Sequence, residues 1–130
     1  MTTNCIKIVL AQLNLTVGDI VGNTNKIIDS IQIASDDHKA DIVLFPELAI
    51  SSYPPEDLLL RPAFHHYIEK ALNDIVKATK NIHVLLGYPY LHNSTLYNAC
   101  SLIPVKRHSH TGGMSPAKFE EDYFSRLESV

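Results

Sequence analysis

Along the first hundred residues, short apolar runs alternate with longer amphipathic stretches. Residues 6–10 (Ile-Lys-Ile-Val-Leu) are β-branched and mostly apolar, which predicts a strand buried on at least one face. Val17-Gly18-Asp19 and Gly22-Asn23 supply turn chemistry. Asn23 or Thr24 then caps a helix whose Ile27, Ile28, Ile31 and Ala34 recur at helical spacing, ending near Asp37-His38. Residues 41–45 (Asp-Ile-Val-Leu-Phe) predict a second buried strand, stopped by Pro46 because proline has no N–H for a ladder. Two strands joined through a helix make a parallel βαβ pair.

From Glu47 to Pro62 the pattern is that of a loop stiffened by Pro54-Pro55, with Glu56-Asp57 in the first turn of a short helix, where acids complement the dipole. A second long helix is predicted over 63–80, turning Ala71, Leu72, Ile75, Val76 and Thr79 to the core and placing Lys77 and Lys80 at its negative end. Residues 82–87 and 96–103 read as two further strands. The connector through Tyr88-Pro89-Tyr90 to Ser94 is short enough to make them antiparallel neighbours. The expected class is α/β with a mixed sheet.

Composition narrows the function classes. The chain has 130 residues, 45% hydrophobic and 19% charged, with a formal net charge of −3. That supports a packed core and gives no electrostatic footprint for nucleic acid or an acidic membrane. No apolar run reaches the roughly 18 residues of a membrane span, and the N-terminus has no signal-peptide pattern, so a cytoplasmic protein is expected. Cys5 and Cys100 are too few for a disulfide scaffold or a zinc site and are expected as reduced, buried structural thiols. His65, His66, His83 and His92 are expected as packing or solvated residues, with no metal, since adjacent residues on a helix do not face one ligand.

The charge is unevenly spread. Residues 104–130 are richer in charged side chains than 1–103, and their first half is basic and turn-rich (Lys106, Arg107, His108, His110, Gly112, Gly113). Ser115-Pro116 then opens a short helix with Phe119, Tyr123, Phe124 and Leu127 on one face. The expected division is 1–103 and a separate tail, 104–130.

Glu47 is the candidate for chemistry. A carboxylate just after a buried strand and a proline lies at the strand's C-terminal end, where open α/β sheets place their ligands, and there it can act as a general base. Pro-Glu-Leu alone fits an exposed loop acid better than a catalytic one.

The surrounding blocks carry more. Phe45-Pro-Glu-Leu-Ala49, followed by Ser52-Tyr53-Pro54-Pro55-Glu56-Asp57-Leu58-Leu59-Leu60-Arg61-Pro62, resembles the N-terminal glutaminase domain of glutamine-dependent NAD synthetases, within the nitrilase (carbon–nitrogen hydrolase) superfamily. Ile8-Val-Leu-Ala11-Gln12-Leu-Asn14, Val17-Gly18-Asp19, Gly22-Asn23 and Tyr97-Asn98-Ala99 match in the same order. The resemblance implies part of an αββα sandwich that hydrolyses the amide of glutamine through a Cys-Lys-Glu triad, with Glu47 as the base and Tyr53 in the loop beside that site, packing there or lining the place of the substrate. It also implies ammonia delivery to a synthetase domain that uses ATP and deamido-NAD, neither of which this chain is expected to bind. Thr111-Gly112-Gly113-Met114 stand where the family's lysine would fall, and the segment of its cysteine is absent. The resemblance therefore implies a truncated, inactive glutaminase part with an exposed sheet edge open to oligomerisation or aggregation. A fragment of another nitrilase-type amidohydrolase is one alternative.

The tail carries a second resemblance. Lys106-Arg107-His108-Ser109, Gly112-Gly113-Met114-Ser115-Pro116-Ala117-Lys118-Phe119-Glu120 and Tyr123-Phe124 are similar to the C-terminus of insertion-sequence transposases, without their catalytic carboxylates. This implies a non-catalytic fusion product as a further alternative.

Overall fold

A computed structural model describes residues 4–105; the helix expected after Ser115, the transposase-like segment and nearly all of the 104–130 tail lie outside the described residues. Four strands, β1 (Ile8–Leu10), β2 (Ile42–Leu44), β3 (His83–His92) and β4 (Thr95–Ile103), form one sheet in that order. The first three run parallel and β4 is antiparallel to β3, giving the mixed sheet expected. Helix α1 (Ile20–Asp36) carries the chain from β1 to β2 and α2 (Pro62–Ala78) from β2 to β3. Both crossovers step the same way across the sheet, so right-handed connection puts both helices on one face. There Ile27 and Ile31 of α1 share a core with Ile68, Leu72 and Ile75 of α2.

The register sorts the side chains by face. Val9, Val43, Val84 and Ile103 are aligned across the four strands on the helix side, with Val43 and Val84 wholly buried. One residue further along, Leu10, Leu44, Leu85 and Leu102 make a second row on the opposite face, where Leu10 is 64% and Leu102 45% exposed. Helices cover one side only. The described residues thus form one helical and one sheet layer, half of the four-layer arrangement that the resemblance implies.

Several boundaries differ from the sequence expectation, β1, β2 and α2 by one or two residues and others by more. Helix α1 begins at Ile20 and is capped by Asp19, whose carboxylate accepts from Gly22 N at 3.0 Å. A Cβ at Gly22 would stand 2.2 Å from Asp19 Oδ2, so a side chain there would push the capping carboxylate aside. Asn23 and Thr24, expected as caps, are instead buried in the first turns. The third strand runs on through Tyr88-Pro89-Tyr90, expected as a connector, to His92. Pro89 is tolerated because it lies past the last pairing with β2, at Leu85, and past the bond from Ala49 N to Gly87 O. The turn contracts to Asn93-Ser94, both at positive φ (48° and 63°), the backbone a type I′ hairpin demands. Glu56 and Asp57 do open a short helix, a 3-10 turn over Glu56–Leu60.

Candidate functional site

After Leu44 the chain leaves β2 but stays on the sheet. Phe45 N donates to Leu85 O at 3.0 Å and Ala49 N to Gly87 O at 2.9 Å, so Pro46, Glu47 and Leu48 arch over β3 between two backbone anchors. Gly87 makes the arch possible. A Cβ there would meet Leu48 N at 3.0 Å, with Glu47 Cα and Pro46 O both at 3.2 Å. Leu48 closes the turn at φ 52°, a left-handed conformation that side chains adopt at some cost. Since Val84, Leu86 and Tyr88 face the helices, Gly87 faces the other way, and the arch carrying Glu47 lies on the side of the leucine row.

The far end of the loop is tied to α1. Asn23, fully buried, donates through Nδ2 to Thr16 O (2.8 Å) and Ile50 O (3.0 Å) and accepts at Oδ1 from Thr16 N (2.8 Å). Gly18 N donates to Ser51 O at 3.0 Å. Residues 45–51 are therefore bonded at both ends, which gives a loop carboxylate the fixed backbone that catalysis needs.

The Glu47 side chain has a partner from the fourth strand: Asn98 Nδ2 donates to Glu47 Oε1. Asn98 pairs with Pro89 across the ladder and shares its face of β4 with Cys100 and Leu102. Glu47 stands at the C-terminal end of β2, as its sequence position predicts, whereas Asn98 is not among the candidate residues of the sequence. Its signal was present, since asparagine is depleted in strand interiors and Tyr97-Asn98-Ala99 stands inside one.

Other candidates stand apart. Tyr53 is 71% exposed, on the loop beyond Ser52, and shares no hydrogen bond with Glu47. Cys5 and Cys100 are exposed, contrary to the expectation of buried thiols. Cys100 alternates with Ala99 and Ser101, which take the helix-facing positions, and so falls on the bare face; Cys5 precedes β1. Among the histidines, His65 contacts Leu59 O through Nε2 at 2.7 Å, and no group of three or more metal-ligating side chains occurs among the described residues. A cavity of about 340 Å³ between α2 and β3 is lined by His65, Glu69, Leu72, Tyr88 and Tyr90, but it does not include Glu47. No helix among the described residues is long and apolar enough to cross a membrane.

Known proteins resemble this chain in sequence and fold. The carbon-nitrogen hydrolase family model matches residues 7–125. The glutamine-dependent NAD(+) synthetase of Xanthomonas campestris pv. campestris is 48% identical over 103 residues, covering 79% of this chain and 19% of that protein. The enzyme of the same name from Aquifex aeolicus is 47% identical over 100 residues, covering 75% and 17%. The chain thus spans about a fifth of the length of the curated relatives it matches. Among solved structures, a glutamine-dependent NAD(+) synthetase from Cytophaga hutchinsonii superposes with a TM-score of 0.72 at 30% identity, over 76% of this chain and 17% of that one. An amidase from Nesterenkonia sp. AN1 shares the fold at 22% identity, with a TM-score of 0.55 over 65% of this chain and 34% of its own. The chain belongs to the carbon–nitrogen hydrolase family, and its homologues are glutamine-dependent NAD(+) synthetases.

Proposed function

We propose that this chain supplies the general base of a glutaminase, with Glu47 as that base and the side-chain amide of glutamine as the bond broken. The observation that carries the reading is the anchored arch: a carboxylate fixed at the C-terminal end of a parallel strand, on the sheet face away from the helices. The names of the synthetase relatives supply the substrate class. In this chemistry the carboxylate takes a thiol proton, the thiolate sulfur attacks the amide carbon, and a cation stabilises the oxyanion that forms.

The thiol and the cation are not assigned to the described residues. Cys100 shares a sheet face with Asn98, but it is a strand residue opposite Gly87, and no cation is bonded to Glu47 among the described residues. Glutamine hydrolysis by this chain alone is therefore expected to be nil. ATP and deamido-NAD belong, on this reading, to a separate synthetase part. The N-terminus of α1, the natural anion cradle, is occupied by the Asp19 carboxylate and does not suit a phosphate.

A graft tests the reading. Residues 1–103 replace the matching segment of the Xanthomonas relative, and ammonia release from glutamine is followed. The graft should turn over, Glu47→Gln should lower kcat by roughly a thousandfold, and Cys100→Ala should change little. Equal turnover with Glu47→Gln would overturn the assignment.

A further inference from the structure

A catalytic glutamate has two degrees of placement, its backbone and its side chain, and only the first is settled by the arch over Gly87. Glutamate has three side-chain torsions, and Glu47 is exposed, so without a partner its carboxylate would sample many positions. We infer that Asn98 is a positioning residue for Glu47: its Nδ2 donates to Oε1 and holds the carboxylate over the bare sheet face, leaving Oε2 to receive the proton. This rests on the reading of Glu47 as the base.

Three features suit Asn98 to the task. Its amide is a neutral donor, so it orients the carboxylate without the strong stabilisation of the anion that a lysine or arginine would bring. Its side chain is short, and its backbone is fixed in the β3–β4 ladder opposite Pro89. It is exposed in a strand, where asparagine is a poor choice for β-structure and adds nothing to the core. A local rule broken without a packing gain points to the contact it makes.

The test is NMR on the full 130-residue chain. One side-chain amide proton of Asn98 should be shifted downfield and protected from exchange, and Glu47→Ala should abolish this signature. Reciprocally, the side-chain couplings of Glu47 should report one rotamer, become averaged in Asn98→Ala and return towards one rotamer in Asn98→Gln, with the melting temperature unmoved throughout. Averaged couplings in the unmodified chain, no change in Asn98→Ala, or a melting point lowered by several degrees would each overturn the inference. In the graft, Asn98→Ala should lower kcat by roughly ten- to a hundredfold with KM little changed. Failure of the base assignment reads differently, as unaltered turnover in Glu47→Gln with the amide signature of Asn98 intact.

Discussion

Gly87 acts through the side chain it lacks. Adding one methyl would press on Leu48 N at 3.0 Å and on two further backbone atoms of the arch. Gly87→Ala is therefore expected to destabilise the chain by about 1–3 kcal/mol, measured by urea unfolding, and to displace Glu47. Asn23 is its counterpart at the other end of the loop. Asn23→Ala strips a partner from the buried Ile50 O and from the part-buried Thr16 N and O, for an expected loss of about 1–3 kcal/mol in the same measurement. Cys5 and Cys100 should both react with a thiol reagent in the native chain; protection of Cys100 until unfolding would contradict its exposed placement. Glu47 was legible in the sequence because a strand followed by proline fixes where the next residue stands. Asn23 was not, because asparagine near a helix start is ordinarily a cap, and its bonds run instead to Thr16 and to Ile50, the latter 27 residues away. The burial of Cys100 was misjudged for a similar reason, since the strand's alternation does not say which face is covered.

At the scale of elements, both long helices and all four strands of the described residues could be read from periodicity, and what went astray was their ends. Asp19 rather than Asn23 starts α1, because its carboxylate accepts from Gly22 N three residues on while Asn23 is turned into the interior. The Tyr88-Pro89-Tyr90 segment looked like a turn because proline breaks ladders, whereas here it lies past the last pairing with β2. The β3–β4 hairpin offers two tests. Ser94 pays for its φ of 63°, so Ser94→Gly should stabilise by about 0.5 kcal/mol once glycine's added chain entropy is allowed for. Tyr88 Oη lies 2.6 Å from Ser101 Oγ in a buried cross-strand pair, and Tyr88→Phe should cost about 1–2 kcal/mol by leaving that hydroxyl unpartnered. Both are read from thermal or urea unfolding.

For the molecule as a whole, the α/β class and mixed sheet followed from the order of periodic segments. The one-sided covering did not, since a leucine in a strand looks the same whether or not a second layer lies above it. The exposed row Leu10, Leu44 and Leu102 is expected to drive self-association that grows with concentration in sedimentation velocity, and Leu102→Lys should shift the distribution towards monomer. The leucine row also has a bearing on the proposed base. Glu47 and Asn98 stand on that same side, so any layer that shelters the leucines from water shelters the carboxylate as well. Completion of the sandwich and the drying of the base are one event, and an assembly that left the row wet would leave Glu47 an ordinary solvated acid.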